Sequence, residues 1–250
     1  MENNKHYIFG KNSIIEAIKS KVEIEKIYLR YGINNDFIKQ IAKKNNIHCT
    51  ALDRTHFKTL ETNVCSPNVN TQGVIALKSI IKTLSLEDFI GKLDIKKNPI
   101  IVILDKITDP QNFGAIARSC ECAGVDGLIL PINDSVVINP TAIKTSAGAL
   151  QHIKIIKAKN LINTCEKLKE KGFWIIGSAV DGEKEYTDNI YDIPIAIIIG
   201  SEGSGMSPSL RKHCDHLIRI EMLGKINSLN ASVSTGVILF EIQRQKKINK

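Results

Sequence analysis

Residues Pro99–Arg118 read PIIVILDKITDPQNFGAIAR, and this stretch decides the fold of most of the chain. Ile100–Leu104 is an unbroken run of apolar, mostly β-branched residues, which predicts a strand covered on both faces, as in a parallel sheet. An Asp-Pro pair then sets a turn, and Asn112 is a candidate cap for a predicted helix, Asn112–Ala123. A buried strand that leads directly into a helix is typical of an α/β parallel sheet. Ligands of such sheets bind beyond the carboxyl ends of the strands.

The same alternation of strands and helices continues to the end of the chain. Ile195–Ile199 is a second fully apolar run, and Leu128–Leu130 and Trp174–Ile176 are shorter ones. We therefore predict that residues 99–250 form one α/β domain with a parallel sheet. Its further predicted helices are Thr141–Ala149, Leu161–Lys171 and Ala231–Gln245.

Residues 1–79 predict a smaller, separate α/β unit in which short helical and strand patterns alternate. Between the two domains, residues 80–98 are charged and weakly patterned, so we expect a linker with no more than one helical turn. The predicted elements of the small unit are the helices Ser13–Lys19, Asp36–Lys44 and Arg54–Glu61 and the strands Ile24–Leu29, Ile47–Leu52 and Gly73–Leu77.

The composition restricts the partners. The chain has 250 residues, with 34 Lys and Arg against 26 Asp and Glu, which gives a net charge of +8. This balance favours a polyanion, either nucleic acid or an anionic membrane. A general bias towards Lys, Asn and Ile explains the charge equally well. Aromatic residues make up only 5%, which counts against stacking as the main way of holding bases.

The cysteine pattern and the N-terminus predict a cytoplasmic protein without a metal. The six cysteines contain no C-x-x-C pair and no disulfide framework, so we expect mostly buried free thiols in a reducing compartment. The first ten residues lack the apolar core of a signal peptide, and no stretch is long enough to span a membrane.

Three polar segments follow predicted strands or begin a helix. The first is Asp105–Arg118, whose small residues make the helix slim enough for close approach of another backbone or a ligand. The second, Ile199–Met206, has three glycines in six residues, which mark a loop of unusual φ angles, yet it matches neither the phosphate-loop nor the dinucleotide fingerprint. The third is Ile220–Ser232, in which Ser228, Asn230 and Ser232 cluster where the last helix begins. Each alone is explained almost as well by caps and turns.

Together the segments supply Asn, Arg, Glu and Ser at one edge of the predicted sheet. They contain no metal-binding cluster and no Ser/His/Asp triad, and His152, His213 and His216 show no partner pattern. Such a set suits the positioning of a cofactor and a hydroxyl group better than hydrolysis.

The three segments resemble, in order, the motifs of the SpoU-type (TrmH-like) RNA ribose 2′-O-methyltransferases. These motifs read L-D-x-(V/I)-x-D-P-x-N-x-G-A-x-x-R, G-x-E-G-x-G-(L/M) and I-P-M-x-G-x-x-x-S-L-N-V-S. The resemblance covers about residues 99–247. Each motif alone is ambiguous, whereas three matched together are highly specific.

Residues 1–79 are similar to the N-terminal domain of one branch of this family, the RlmB type, which methylates a guanosine of 23S ribosomal RNA. Gly10-x-Asn12-x-Ile14-x-Glu16-Ala17 resembles the opening signature of that domain, and Gln72-Gly73-Val74 the closing one. The sequence departs from the family pattern in Thr71, where a His is usual, and in Glu221, which replaces a Pro.

The resemblance implies an S-adenosylmethionine-dependent enzyme with a deep trefoil knot, a small RNA-binding domain and a homodimeric assembly. Arg118 is often assigned as the base in this family, but a guanidinium is effectively never deprotonated in proteins. We expect Arg118 instead to bind phosphate or ribose and to stabilise developing negative charge, with Glu202 orienting Arg118 or ordering its loop. The implied catalytic residues are Asn112, Arg118, Glu202, Ser228 and Asn230, and the implied cofactor-binding residues are Gly200, Ile220, Met222 and Leu229.

Two alternatives to a ribosomal RNA enzyme remain at this point. One is the same reaction on transfer RNA, although the simplest transfer RNA members lack the N-terminal domain. The other is a catalytically silent RNA-binding factor, which the intact polar residues argue against. A nucleotide-binding oxidoreductase or a GTPase is excluded because neither glycine fingerprint is present.

Overall fold

The computed structural model describes residues 6–66 and 69–248. The chain divides into two compact units, Met1–Lys82 (unit 1) and Thr83–Lys250 (unit 2), and each is described by itself.

Unit 1 contains a four-stranded sheet in the order β1-β4-β2-β3. β2 and β3 are parallel, whereas β4 runs antiparallel to β1 and β2. The carboxyl ends of β1, β2 and β3 therefore share one edge of the sheet with the start of β4. The strands are β1 (Tyr7–Phe9), β2 (Ile24–Arg30), β3 (His48–Leu52) and β4 (Val74–Lys78), and the helices are α1 (Lys11–Lys19), α2 (Asp36–Lys44) and α3 (Arg54–Val64).

The predicted elements of unit 1 are all present, with ends that shift by at most three residues. One strand, β1, was not predicted, because three residues are too few to show a period. α3 begins at Arg54 because the Asp53 carboxylate accepts hydrogen bonds from the backbone N–H groups of Thr55 and His56, at 2.8 and 2.9 Å.

Unit 2 is built on an eight-stranded sheet in the order β10-β12-β9-β11-β6-β7-β8-β5, and every pair of neighbours is parallel. The predicted parallel α/β domain is therefore confirmed. The strands are β5 (Thr83–Leu84), β6 (Ile100–Leu104), β7 (Gly127–Pro131), β8 (Ile155–Ala158), β9 (Trp174–Ser178), β10 (Lys184–Glu185), β11 (Ile195–Ile199) and β12 (His216–Arg219). The helices are α4 (Leu86–Ile90), α5 (Pro110–Cys122), α6 (Pro140–Thr145), α7 (Leu161–Glu170), α8 (Pro208–Arg211) and α9 (Ala231–Ile248), with short 3₁₀ helices at Ile95–Lys97 and Ala149–Gln151.

The two runs that predicted fully covered strands lie at the centre of this sheet. β6 and β11 pair with each other, and all ten of their residues are buried. Helices pack on the sheet, and α5 in turn packs against α6 and α9. Gly114 makes the close approach of α5 to α6 possible, since a Cβ there would lie 2.7 Å from the Ala142 carbonyl oxygen and from the Thr145 Cβ. The prediction of a slim helix is correct at this position.

The structure corrects the predicted linker over residues 80–98. Thr83–Leu84 forms the edge strand β5, which pairs with Ile155–Ile156 of β8. α4 follows, capped by the Ser85 hydroxyl, which accepts a hydrogen bond from Asp88 N–H at 3.1 Å. The three apolar residues of α4 are buried in the core of unit 2. A five-residue helix is too short to show a helical period, and the charged residues around it made the segment resemble a linker.

The predicted helix Thr141–Ala149 is also too long. α6 ends at Thr145, because Ala147 and Gly148 have φ angles of +48° and +93°, in the left-handed region. The deep trefoil knot stays a prediction of the resemblance. No helix in the described ranges combines the length and apolar character that crossing a bilayer requires.

Candidate active site

The three polar segments begin where strands of the large sheet end. They follow β6, β11 and β12, which are all parallel, so their carboxyl ends lie at one edge of the sheet. This is the edge at which open α/β sheets bind ligands.

One side chain from each segment joins a hydrogen-bonded cluster, which we call the Asn–Glu–Asn cluster. Glu202 Oε1 accepts from Asn112 Nδ2 at 2.7 Å and from Asn230 Nδ2 at 2.5 Å. Asn230 Nδ2 also donates to Asn112 Oδ1, at 2.8 Å. The structure therefore brings together three of the five predicted catalytic residues, although they are up to 118 positions apart in the chain.

Asn112 is available for this cluster because another residue caps its helix. The sequence indicated Asn112 as the cap of α5, and this is wrong. Asp109 is the N-cap, and its carboxylate accepts from the Asn112 backbone N–H at 2.8 Å, with Pro110 in the first turn. Asn112 therefore lies inside the first turn with its side-chain amide free to contact Glu202.

Asn230 has two functions. Its Oδ1 accepts from the backbone N–H groups of Ser232 and Val233, at 2.9 and 3.3 Å, and so caps the start of α9. The cap directs Oδ1 towards the helix and leaves Nδ2 for the Asn–Glu–Asn cluster. The orientation of this amide is thus fixed by its own helix.

The glycine-rich loop after β11 is held by its backbone. Ser201 and Gly205 exchange two backbone hydrogen bonds, at 3.1 and 2.8 Å, and Gly205 has a φ of +63°. A Cβ on Gly200 would lie 2.3 Å from the Met206 backbone nitrogen, so only glycine fits there. The buried Asp105 carboxylate accepts from Ser207 N–H at 2.6 Å and fixes the end of the loop. The sequence located Asp105 at the end of its strand but did not show this contact.

A cavity of about 400 Å³ lies at this edge of the sheet. Six of the predicted site residues line it: Gly200, Glu202, Ile220, Met222, Ser228 and Leu229. All four predicted cofactor-binding residues are among them. The full lining is Ser178–Asp181, Ile199–Met206, Arg211, Ile220, Met222, Asn227–Leu229, Ala231 and Ser234.

Two parts of this lining were not predicted. One is the segment after β9, Ser178–Asp181, which lies at the same edge because β9 pairs with both β11 and β12. The other is Arg211, whose guanidinium donates to both carboxylate oxygens of Asp181, at 2.7 and 2.9 Å. These hydrogen bonds hold the pKa of Asp181 below its usual value. The position of the segment directly after an apolar strand was the only signal in the sequence.

Arg118 lies apart from the cavity in this chain. It is exposed on α5, six residues beyond Asn112 and hence about 9 Å further along the helix axis. The described residues offer it no ion-pair partner. The expectation that Glu202 orients Arg118 is therefore corrected. The Glu202 carboxylate binds the two asparagine amides, because the loop after β11 directs it towards the helix starts.

Thiol chemistry at the cavity is disfavoured. All six cysteines are free, and Cys214 lies with its sulfur 3.7 Å from the Met206 sulfur. Burial raises the pKa of Cys214 to about 11 and that of Cys165 to about 12, so both thiols are neutral at pH 7. Glu221, which departs from the family pattern, is exposed and does not line the cavity.

Comparison with known proteins agrees with this geometry. The sequence profile of the SpoU rRNA Methylase family matches residues 99–240, and the profile described as RNA 2′-O ribose methyltransferase substrate binding matches residues 7–79. A protein of Staphylococcus haemolyticus named as a TrmH family tRNA/rRNA methyltransferase is 37% identical over 243 residues, which cover 96% of this chain and 95% of that protein. A Bacillus subtilis protein of the same designation is 32% identical over 250 residues, which cover 98% of this chain and 98% of that protein.

The fold also has solved counterparts. The SpoU methyltransferase AviRb from Streptomyces viridochromogenes, crystallised in complex with the cofactor AdoMet, is similar with a TM-score of 0.61 and 22% identity. The similarity covers 96% of this chain and 90% of that one. Because the profile match includes all three polar segments and the relatives span the whole chain, this protein belongs to the SpoU rRNA methylase family.

Proposed function

We propose that this protein transfers a methyl group from S-adenosylmethionine to the ribose 2′-hydroxyl of a ribosomal RNA nucleotide, a guanosine of 23S RNA. The observation that carries the proposal is the Asn–Glu–Asn cluster. It joins one residue from each of the three motifs at the rim of a ligand-sized cavity.

The cavity suits S-adenosylmethionine. Its volume of about 400 Å³ falls within the range of about 300–1,000 Å³ that is common for small-molecule sites. Ile220, Met222 and Leu229 give it apolar walls for an adenine ring, and the backbone of the loop from Gly200 gives it N–H and C=O groups. The bound cofactor supplies a methyl group that is already activated on a sulfonium.

The chain's own residues then have to position the acceptor. Asn112 and Asn230 are held by Glu202, so that their amides keep one orientation at the start of two helices. Helix starts favour negative charge, which suits an oxygen that becomes more anionic as it attacks. Ser228 lines the cavity and offers a further hydroxyl for a hydrogen bond. Arg118, exposed and without an ion-pair partner among the described residues, is suited to a phosphate of the RNA.

Unit 1 supports ribosomal RNA over the smaller transfer RNA. Residues 1–82 contain 13 Lys and Arg against seven Asp and Glu, so that unit 1 carries +6 of the chain's net charge of +8. A separate basic domain extends the contact with RNA beyond the target nucleotide. Its resemblance to the RlmB type is what favours a guanosine of 23S RNA.

The decisive experiment measures methyl incorporation from labelled S-adenosylmethionine into 23S RNA and into transfer RNA. We expect incorporation into 23S RNA, at one nucleotide, and its loss in cells that lack this gene. Incorporation into transfer RNA alone would show that transfer RNA, and not 23S RNA, is the substrate. Binding of RNA without any incorporation would indicate a silent RNA-binding factor.

Two further tests address the chemistry. A 2′-deoxyribose at the target nucleotide should abolish methylation and leave binding intact, because only the acceptor oxygen is removed. RNA affinity should fall roughly 10³-fold or more between 50 and 200 mM salt, since several phosphate contacts release counterions. A flat response to salt would contradict an electrostatic RNA complex.

We also infer a homodimer. Leu223, Ile226, Val233 and Phe240 are exposed apolar residues in the segment before α9 and on α9 itself. Apolar side chains so grouped are typical of an interaction surface. Sedimentation equilibrium should give twice the mass of one chain, and Phe240→Asp should shift it towards the monomer.

A further inference from the structure

Unit 1 gathers four loops at one edge of its sheet. β1, β2 and β3 end there and β4 begins there, because β4 is antiparallel to β1 and β2. We call this surface the loop edge. It consists of Gly10–Lys11, Tyr31–Asn35, Asp53–Arg54 and Asn70–Gly73.

Hydrogen bonds between the loops hold the loop edge in one arrangement. Lys11 N–H donates to Gln72 Oε1 at 2.9 Å, and Lys11 Nζ donates to the Asn34 carbonyl at 2.7 Å. Tyr31 N–H donates to the Leu52 carbonyl at 2.7 Å. The opening signature, which contains Lys11, is therefore hydrogen-bonded to the closing signature, which begins at Gln72. A surface tied in this way is preorganised for a ligand.

The departure from the family pattern at Thr71 belongs to the same framework. Thr71 is buried, and its hydroxyl donates to Glu61 Oε1 at 2.6 Å and accepts from Gly73 N–H at 3.3 Å. The hydrogen bond from Thr71 lowers the pKa of Glu61. Thr71 thus supports the loop edge from below.

Two aromatic rings are exposed here, one in the loop edge and one in the helix turn that directly follows it. Tyr31 is 77% exposed and Phe37, in the first turn of α2, is 62% exposed. The other aromatic residues of the described part of unit 1 are buried or half-buried. Only 5% of the chain is aromatic, so two exposed rings at the ends of one short loop are unusual. Exposed aromatic rings beside a polar loop are a common platform for bases.

Charge and unused hydrogen-bonding capacity mark the same place. Lys11 and Arg54 lie at the loop edge, in a unit that carries +6. Lys39, in the first turn of α2, is ion-paired with Asp36 at 3.3 Å, and Asp53 adds one negative charge at the start of α3. Asn35 precedes α2 but caps nothing: its side-chain nitrogen and oxygen are both buried without a partner among the described residues. A buried unpaired amide is costly, so the Tyr31–Asn35 loop gains free energy if it rearranges to pair this amide when a ligand binds.

We propose that the loop edge binds unpaired RNA nucleotides, whose bases stack on Tyr31 and Phe37 while basic side chains contact the phosphates. The proposal rests on the proposed function, because it assigns a surface to part of the same RNA substrate. Paired bases in an A-form helix are stacked on each other and cannot reach a protein ring, so the ligand is a loop or a bulge and not a duplex.

The test uses the full chain and two labelled RNA probes, a single strand of about 12 nucleotides and the matching duplex. Tyr31→Ala and Phe37→Ala should each weaken binding of the single strand about 5-fold to 150-fold, the range expected for one stacked base. Val22→Ala is the matched control. It removes a 40% exposed apolar side chain that precedes β2, at the opposite edge of the sheet. Duplex binding should change little in every variant.

A fluorescence reporter makes the test independent of affinity. Trp174 is the only tryptophan, so Tyr31→Trp in a Trp174→Phe background places the single indole at the loop edge. The single-stranded probe should quench it, and the duplex should not. An unquenched indole would overturn the proposal and leave this face to a protein partner. So would a double variant, Tyr31→Ala with Phe37→Ala, that binds the single strand with the affinity of Val22→Ala.

The outcomes separate this proposal from the proposed function. If the wild type methylates 23S RNA but the double variant binds and methylates it like Val22→Ala, the loop edge fails alone. If the wild type binds the single strand through Tyr31 and Phe37 but transfers no methyl group, the proposed function fails alone. With both correct, the double variant raises KM for RNA and retains kcat.

Discussion

Replacing Glu202 by Gln tests the Asn–Glu–Asn cluster most directly. The change keeps the size and shape of the side chain, removes its negative charge and replaces one carboxylate oxygen by an amide N–H₂ group. Glu202 Oε1 would then accept the two amide hydrogen bonds, from Asn112 at 2.7 Å and from Asn230 at 2.5 Å, as a neutral carbonyl oxygen. The contacts survive, but each becomes weaker.

The magnitude follows from those two bonds. A hydrogen bond to a charged group contributes about 1.5–3 kcal/mol and a neutral one about 0.5–1.5 kcal/mol, so the variant loses about 2 kcal/mol over both. Glu202 is exposed in the free protein, where water screens the charge, and we expect about half of this loss in stability. That corresponds to a fall in Tm of about 2–4 °C. When bound RNA excludes water, the full difference applies, so the complex loses about 1 kcal/mol more than the free enzyme, which lowers kcat/KM about 5-fold.

The assay compares methyl transfer and thermal unfolding of Glu202→Gln with those of Glu221→Gln. Glu221→Gln removes the same charge from an exposed site in the third motif that contacts neither asparagine and does not line the cavity. It should keep the wild-type kcat/KM. A Glu202→Gln enzyme within twofold of Glu221→Gln would refute the reasoning, because the cluster would then contribute nothing beyond net charge.

Three further changes have expected outcomes. Gly114→Ala should lower Tm by about 2–8 °C by calorimetry, because overpacking at about 1–3 kcal/mol outweighs the gain in helix propensity. Gly200→Ala should abolish calorimetric binding of S-adenosylmethionine, whereas Gly224→Ala, with open space around its Cβ and outside the cavity lining, should keep it. Thr71→Val should lower Tm more at neutral pH than in acid. The Thr71 hydroxyl holds the pKa of Glu61 below its usual value, and this part of the stability is lost as the pH falls through that lowered pKa, whereas the lost hydrogen bond from Gly73 N–H costs stability at every pH. A Tm difference of equal size at neutral and acid pH would contradict this.

The sequence predicts the central strands of the large sheet well and its edges poorly. Ile100–Leu104 and Ile195–Ile199 are bounded correctly because a strand covered on both faces has to be apolar at every position. β8, β10 and β12 were not predicted, since they contain or consist of charged residues such as Lys157 and Lys184. Of these three, β10 is an edge strand, and β8 and β12 each lie one strand inside an edge. A strand of two to four residues that includes a charged side chain has a pattern like that of a loop.

The site residues were predictable as a set, but their contacts were not. Asn112 and Asp109 are both good helix caps and lie three positions apart, and local propensity does not decide between them. In the structure Asp109 caps the helix, because the side chain of Asn112 donates instead to Glu202, which lies 90 positions further along the chain. The same partner is lost to Arg118, whose assignment to Glu202 rested on charge alone.

Asn230 shows why a sequence pattern does not predict such long-range contacts, although they require one particular residue type. Its Oδ1 starts α9, and its Nδ2 joins the cluster, so the residue satisfies a local rule and a long-range one at once. The local rule alone is also met by Asp or Ser, and both would cap the helix. Neither has an N–H to donate to Glu202, and Asp would place a second carboxylate beside it. Asn230→Asp should therefore keep α9 and lose methyl transfer, which separates the fold from the chemistry at a single atom.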